Sequence, residues 1–293
     1  MFEFYVQNEY WFAVVQLVLA MLGMGATLRP RDFGELIVKP KAFSLGLVIQ
    51  LVLVPVITFT CIQWFGLEPA VAIGFALIAA IPGGTLSNIF TYFARGNSAL
   101  SIAITAVTTL ACLLTTPIIL GLLIKEYMPV DFQMPAAQIA TEIGLFLLLP
   151  LILGMLYLRF LNTSAVMFSK WCIRISLFVI LLIVIGALGA GRLDMQAFGL
   201  HNILLVLALL VAMFIATWVI TKLFGLARKD ATAIEMEVLV RNVNLGLLIK
   251  VSLFPASGAD PMGDVVLFTI LMYGAFQLLI GGVLIGLGRR RAA

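Results

Sequence analysis

The 293-residue sequence has few of the residues that keep a protein soluble in water. Only 11% of its residues are charged, whereas 63% are hydrophobic, and its mean hydropathy is +1.16. Soluble globular chains are roughly half apolar and about a quarter charged. So few charges cannot cover the surface of a soluble domain, and the composition indicates a protein embedded in a lipid bilayer.

Cysteine, histidine and enzyme motifs are also scarce. The three cysteines, Cys61, Cys112 and Cys172, lie in or beside apolar segments at spacings that match no metal or redox motif, so we expect no disulfide framework. The sequence contains no HExxH, GxSxG, P-loop or CxxC pattern. The N-terminus lacks the basic start and cleavage site of a removable signal peptide. We therefore predict a protein that is not an enzyme and has no resident cofactor.

Long apolar runs take the place of these features. Stretches of about 20 residues, enough to cross a hydrocarbon core about 30 Å thick, recur along almost the whole chain. They predict an all-α polytopic membrane protein with about nine transmembrane helices, forming a single domain over residues 1–293. The predicted spans are 9–28, 43–65, 69–94, 98–123, 136–158, 172–190, 201–224, 231–254 and 264–288.

Basic residues are concentrated in alternate loops between these spans. The loops after the odd-numbered spans contain Arg29, Arg31, Lys39, Lys41, Arg95, Arg159, Lys170, Arg174, Arg228, Lys229, Arg289, Arg290 and Arg291. Because such loops stay on the cytoplasmic side, the formal net charge of +4 indicates topology, not a nucleic-acid partner. We predict a bacterial inner-membrane protein with its N-terminus outside and its C-terminus in the cytoplasm. An even number of spans would break this alternation.

Two spans are not plain membrane helices. The span 69–94 is interrupted by Pro82, Gly83 and Gly84, and the span 231–254 contains Glu237 and Arg241 among other polar residues. These spans are five apart and thus oppositely oriented, which is typical of the binding site of a transporter built from inverted repeats. The backbone groups freed by a break can hold a cation through carbonyls and an anion through the amides of the next half-helix.

Glu237 is the most informative single residue, because a carboxylate at mid-span costs about 2.5 to 3.5 kcal/mol and needs compensation. A bound cation is one candidate for that compensation, and a salt bridge to Arg241, four residues later, is the alternative. Near the outer end of the fifth span, we expect Glu142 to be exposed to water.

Hydroxyl residues follow one face of the fourth span at Ser101, Thr105 and Thr108. They could meet Ser87 and Asn88 and supply neutral oxygens for a monovalent ion. The alternative is ordinary helix packing, with each hydroxyl bonded to a carbonyl of its own helix. Gln50, in the second span, is a further amide that could bind an ion.

Three motifs together resemble the bile acid:sodium symporter family. They are residues 22–28 (LGMGATL) before Asp32 and Phe33, residues 82–88 (PGGTLSN), and residues 91–97 (TYFARGN). The resemblance extends over nearly the whole chain. It implies a panel of helices that moves against a core, with two crossed discontinuous helices near 69–94 and 231–254.

The resemblance also implies which residues bind ions and substrate. A first sodium site would comprise Ser87, Asn88, Ser101, Thr105 and Glu237. A second would comprise Gln50, Glu237, Val238, Val240 and Arg241, where the family has glutamine in place of Arg241. We expect the Arg241 guanidinium to replace the second sodium ion, or alternatively to pair with a substrate carboxylate. Thr85 and Asn242 would contact the substrate.

The predicted function is sodium-coupled import of an organic anion, either a bile-acid-like steroid or a small carboxylate such as pantoate. The expected partners are Na⁺, the anion and the lipid bilayer, without nucleic acid. One alternative is a proton-coupled or sodium-independent anion carrier that uses Glu237 and Arg241. A membrane sensor or assembly subunit is a second alternative, although it would have no evident need for two broken helices.

Overall fold

The computed structural model describes residues 2–29, 40–128, 131–255 and 260–290, without the side chains of Phe2 and residues 287–290. Among these residues there are α-helices and no β-strand, so the predicted all-α fold is confirmed. In chain order the helices are α1 (Phe2–Gly25), α2 (Pro40–Phe65), α3 (Pro69–Ala80), α4 (Thr85–Phe93), α5 (Ser98–Leu123), α6 (Ala136–Phe160), α7 (Asn162–Gly189), α8 (Met195–Leu223), α9 (Arg228–Leu239), α10 (Val243–Leu253) and α11 (Pro261–Arg290). Several predicted features lie outside the described residues: Arg31, Asp32, Phe33, Lys39, Arg291 and the side chains of Arg289 and Arg290.

Within the described ranges, six helices are long and apolar enough to cross a membrane: α2, α5, α6, α7, α8 and α11. The half-helices α3 and α10 are shorter and also apolar. Large side chains on the long helices face outward, among them Leu122, which is 75% exposed, and Leu223, which is 77% exposed. An apolar outer surface of this kind is suited to lipid and not to water.

One of the predicted loops is much shorter in the structure. Helix α6 ends at Phe160 and α7 begins at Asn162, so Lys170 and Arg174 lie on α7 and not in a loop. The predicted span 172–190 is based on an apolar run and therefore includes only the part of α7 that is apolar enough for the hydrocarbon core. The backbone hydrogen bonds of a helix do not stop where its side chains become polar, so α7 begins ten residues earlier.

The helices form two groups by their packing. Helix α1 packs mainly against α7 and α6, and these three are called the panel bundle. Gly25 and Gly154 allow the close approach of α1 to α6, since a Cβ atom at Gly25 would lie 2.1 Å from the Leu151 carbonyl oxygen. The other helices are called the core bundle, in which α3 packs against α5 and α11, and α9 packs against α4, α5 and α8.

Proline and extended residues separate the half-helices inside the core bundle. Ile81 precedes Pro82 and has φ −83° and ψ 147°, because the proline ring disfavours a helical conformation at the residue before it. Helix α3 therefore ends at Ala80, and α4 begins at Thr85. Between α9 and α10, Val240 is extended, with φ −104° and ψ 91°. The spans 69–94 and 231–254 are thus each divided into two half-helices.

Candidate ion and anion site at the two broken helices

The two breaks lie against each other and share backbone hydrogen bonds. The Gly84 amide donates to the Val240 carbonyl at 3.2 Å, and the Asn242 amide donates to the Pro82 carbonyl at 2.9 Å. Gly83 and Arg241 face each other as one short antiparallel bridge. Each break therefore satisfies part of the backbone that the other one frees, as hydrocarbon requires.

Polar side chains of neighbouring helices satisfy further carbonyl groups at the helix ends. Thr116 Oγ1 donates to the Ala80 carbonyl at 2.8 Å, Tyr273 OH to the Leu239 carbonyl at 2.9 Å, and Gln50 Nε2 to the Glu237 carbonyl at 3.1 Å. The Arg241 amide donates to Gln277 Oε1 at 2.9 Å. The crossing is thus held by side chains from α2, α5 and α11.

Gly83 brings the unwound backbone against the carboxylate of Glu237. A Cβ atom at this position would lie only 2.2 Å from Glu237 Oε2, closer than any real contact allows. Glycine is therefore required at position 83, because only a residue without a side chain lets the backbone approach the Glu237 carboxylate this closely.

Glu237 is fully buried, and side-chain oxygen atoms from two helices, α4 and α5, surround its carboxylate. Its Oε1 atom lies 2.6 Å from Ser87 Oγ, 2.6 Å from Ser101 Oγ and 2.7 Å from Thr105 Oγ1. Asn88 Oδ1 lies 2.8 Å from Ser101 Oγ and 3.2 Å from Thr105 Oγ1. These five residues, called the Glu237 cage, are the set that the family resemblance implied for a first sodium site.

Chemically, the Glu237 cage is suited to a hard monovalent cation. It offers hydroxyl, amide and carboxylate oxygens with a single formal negative charge, and oxygen donors favour hard cations. The described residues contain no group of three or more His, Cys, Asp or Glu side chains that could hold a metal ion. The second carboxylate oxygen, Glu237 Oε2, is buried and has no hydrogen-bond partner among the described residues.

Arg241 is 2% exposed and does not bind Glu237 directly. Its Nη1 donates to Gln50 Oε1, and its Nη2 lies 3.5 Å from the Ala79 carbonyl. The ion pairs found among the described residues do not include Glu237 with Arg241. The salt bridge that the four-residue spacing offered as an alternative to a bound cation is therefore not formed, because α9 ends at Leu239 and Arg241 no longer follows its helical face.

Thr85 and Asn242 lie at the N-termini of α4 and α10 and line a cavity of about 430 Å³. Asn242 Oδ1 caps α10 by accepting from the Leu245 amide at 3.3 Å. In the described structure, Thr85 Oγ1 and Asn242 Nδ2 are buried without a partner. The rest of the cavity wall is mostly apolar, with side chains of α7 on one side and α11 on the other.

The remaining predicted residues, Val238, Val240 and Thr108, have no hydrogen bond to the Glu237 carboxylate in the described structure. The Val240 carbonyl accepts from the Gly84 amide, and Val238 is buried in α9. Thr108, expected with the hydroxyl face of α5, bonds to the Ile104 carbonyl of its own helix at 2.8 Å.

Sequence reasoning missed Thr91 and Gln277. Thr91 Oγ1 donates to Ser101 Oγ at 3.2 Å, and Gln277 binds the Arg241 backbone. Thr91 lies four residues after Ser87 on the same helical face, so its spacing was a usable signal.

Glu142 is buried instead of exposed to water, with 6% exposure. Its carboxylate accepts hydrogen bonds from Tyr10 OH at 3.3 Å, from Gln138 Nε2 at 3.0 Å and from Ser252 Oγ. The expectation of a water-exposed residue was wrong because the start of α6 lies against α1 and the end of α10, an arrangement that the local sequence does not show.

Comparison with known proteins shows similarity to sodium-dependent transporters. Over 250 residues the chain is 28% identical to an uncharacterized sodium-dependent transporter, YocS, of Bacillus subtilis, covering 85% of this chain and 77% of that protein. It is 27% identical to the human hepatic sodium/bile acid cotransporter, covering 94% and 78%. It is 28% identical to the probable sodium/metabolite cotransporter BASS1 of Arabidopsis thaliana, covering 95% and 67%.

The family and its named members are transporters, so the predictions of a membrane transport protein and of no enzymatic activity are confirmed. The apolar helices described above make it a multi-pass membrane protein. The model of the Sodium Bile acid symporter family matches residues 14–196, more than half of the chain, and the protein belongs to that family.

Proposed function

We propose that the protein is a sodium-coupled symporter that imports an organic anion by alternating access. The observation that supports this proposal most is the fully buried Glu237 carboxylate, surrounded by hydroxyl and amide oxygens at the crossing of two broken helices. A buried carboxylate is costly without a compensating charge, and Na⁺ bound in the Glu237 cage would supply it. Na⁺ is then a transported ion, and the transporter needs no resident cofactor.

The proposed topology has nine membrane crossings in one domain over residues 1–293. The six long helices would each cross once, α1 would cross once, and the pairs α3–α4 and α9–α10 would supply the other two crossings. The distribution of basic residues supports a bacterial inner membrane, with the N-terminus outside and the C-terminus in the cytoplasm. The end of the protein that contains Glu9 is then the outer end.

The anionic group of the substrate would bind at Thr85 and Asn242. Both residues lie at helix N-termini, where amides and the helix dipole favour a negative charge, and both have a polar atom free to bind it. The cavity beside them is wide and mostly apolar. This lining favours an anion with a bulky apolar body, such as a bile-acid-like steroid, over a small hydrophilic acid such as pantoate.

Sodium and the anion would be coupled through the crossing itself. Ser87 of the Glu237 cage and Thr85 of the anion site are two residues apart on α4, and the backbone of both breaks is joined by the Gly84–Val240 hydrogen bond. Sodium in the cage would thus stabilise the geometry that receives the anion. By linkage, each ligand raises the affinity for the other by the same factor.

Arg241 would replace a second sodium ion. Its guanidinium lies between the Gln50 side-chain oxygen and the Ala79 carbonyl, two oxygens that could otherwise bind a cation. A permanent positive charge there would repel another cation, since charges in a buried site are weakly screened. One sodium ion would then accompany each anion. The observation that supports the alternative, in which Arg241 pairs with a substrate carboxylate, is that Arg241 also lines the cavity.

Uptake by proteoliposomes, with sodium replaced by choline at constant pH, tests the proposal. Uptake of a labelled bile-acid-like anion should require sodium and should be lost in Glu237→Ala. The matched control is Glu235→Gln, because Glu235 is an acidic residue on the same helix but outside the Glu237 cage. Sodium-independent uptake that instead follows a pH gradient would support the proton-coupled alternative and contradict sodium coupling.

A further inference from the structure

Four charged side chains form a continuous cluster at one end of the protein, about two helical turns from the cavity residue Asn242 along α10. Glu9 Oε1 lies 3.0 Å from Lys250 Nζ, and Glu9 Oε2 lies 2.7 Å from Arg192 Nη1. Arg192 Nε also binds Asp264 Oδ1. Glu9, Arg192, Lys250 and Asp264 are called the Glu9 cluster. Two positive and two negative charges balance within it.

The Glu9 cluster joins the two bundles. Glu9 lies on α1 of the panel bundle, whereas Lys250 and Asp264 lie on α10 and α11 of the core bundle. Arg192 is in the connection between α7 and α8, where the chain passes from one bundle to the other. Glu142 and Ser252 add a second contact between the bundles at the same end.

The packing shows that the bundles meet at this end. Helix α1 packs more extensively against α10, whose end contains Lys250, than against α4, the half-helix that extends toward the opposite end. Lys250 is fully buried and Glu9 is 3% exposed. At the Glu9 end, therefore, the panel bundle and α10 of the core bundle are in direct contact through ion-paired side chains that are almost completely buried.

The charges of the Glu9 cluster stabilise the arrangement in which the panel bundle contacts α10. Removing one partner of a buried ion pair is strongly destabilising, because it leaves an uncompensated charge out of water. Burial lowers the pKa of Arg192, but attraction to Glu9 and Asp264 outweighs burial and raises that pKa above its ordinary value. The panel bundle cannot move away from α10 at this end without separating Glu9 from Lys250.

We propose that the Glu9 cluster is the outer gate of the transporter, closed by the Glu9–Lys250 ion pair between the two bundles. The gate opens when the panel bundle moves, Glu9 separates from Lys250 and water hydrates both charges. This inference rests on the proposed alternating access and membrane orientation.

Cysteine labelling measures the opening of the gate without substrate or sodium. Val251 is 5% exposed and lines a pocket together with Glu9 and Ser252, so Val251→Cys places a thiol at the gate. Purified protein in lipid nanodiscs, accessible from both faces, is treated with a membrane-impermeant maleimide, and protein with the native cysteines alone gives the background rate. We expect Glu9→Gln to raise the labelling rate of the introduced cysteine roughly tenfold, because Lys250 loses its partner and opening hydrates it.

Two further variants separate gating from damage to the fold. Glu9→Gln combined with Lys250→Gln removes both charges and should return labelling toward the parent rate, which a misfolded protein would not do. Glu126→Gln changes an exposed carboxylate outside the Glu9 cluster and should label at the parent rate.

Three results would overturn the gate: a parent rate for Glu9→Gln, a double variant as fast as the single one, or equally fast labelling of Glu126→Gln. Sodium-driven uptake by the parent protein is measured separately. Its absence would reject the symport proposal without altering the labelling comparison.

Discussion

Thr105 and Thr108 lie one turn apart on α5, and both are buried, but their hydroxyls have different partners. The Thr105 hydroxyl lies 2.7 Å from Glu237 Oε1, whereas the Thr108 hydroxyl bonds to carbonyls of its own helix. Helical spacing places both on one face and does not distinguish them. The position of α9 decides which hydroxyl belongs to the Glu237 cage.

This difference supplies a matched pair of variants. Thr105→Val keeps the side-chain shape and removes one oxygen of the Glu237 cage, so we expect the sodium concentration for half-maximal stabilisation to rise about tenfold, the size of a lost bond to a charged group. The measurement is the melting temperature of the purified protein as a function of sodium concentration. Thr108→Val should leave the sodium dependence unchanged, and an equal effect of both variants would contradict the proposed ligand set.

Arg241 determines the number of ions in the proposed cycle. Arg241→Gln removes the guanidinium from between Gln50 and the Ala79 carbonyl and supplies a neutral amide oxygen there. We expect the Hill slope of sodium-dependent uptake to rise from about one toward about two, because a second cation is no longer repelled. An unchanged slope, with uptake retained, would argue against the replacement of an ion by Arg241. A selective loss of anion affinity at that unchanged slope would favour direct binding of the substrate by Arg241.

Among the helices, the half-helices α4 and α10 have the largest part in the proposed function. Their N-termini hold Thr85 and Asn242, and the breaks before them are joined by backbone hydrogen bonds. Gly83 permits this arrangement because its missing side chain leaves room for the Glu237 carboxylate. The crossing therefore depends on the small size of Gly83 and not on a hydrogen bond made by a side chain at that position.

Gly83→Ala should therefore damage the crossing. The added methyl group would lie 2.2 Å from Glu237 Oε2, and overpacking of this kind costs about 1–3 kcal/mol. We expect a lower melting temperature and loss of the sodium-dependent increase. Gly282→Ala on α11 is the control, because a Cβ atom there would meet nothing within 4 Å. It should be neutral or slightly stabilising, since alanine is favoured over glycine in a helix by about 1 kcal/mol. Normal sodium stabilisation in Gly83→Ala would contradict the tight packing described here.

The panel and core bundles together define two ends of the protein, and the proposed transport direction depends on which end faces outward. In the proposed topology Glu3 and Lys229 lie at opposite ends, and both are exposed. The basic residues Arg228 and Lys229 are the first two residues of α9, at the end that we assign to the cytoplasm.

Labelling of intact cells tests this orientation. Glu3→Cys should react with a membrane-impermeant maleimide added outside, and Lys229→Cys should react only after the membrane is permeabilised. Protein with only the native cysteines gives the background. The reverse pattern would show that the orientation is inverted, and labelling of both positions in intact cells would contradict an odd number of crossings.

The sequence by itself determined that the chain is an all-helical membrane protein, where its apolar segments lie and which segments are broken. These properties follow from local chemistry: apolar length matches the hydrocarbon core, and Pro82 with two glycines disfavours a continuous helix. The family motifs also indicated the residues of the Glu237 cage. Only the tertiary structure decided which polar groups meet across helices. It placed Arg241 on Gln50 instead of Glu237, buried Glu142, and brought Glu9, Lys250, Arg192 and Asp264 together. Those contacts join residues far apart in the chain, and the pairing of distant residues depends on how the helices pack and not on the spacing within any one of them.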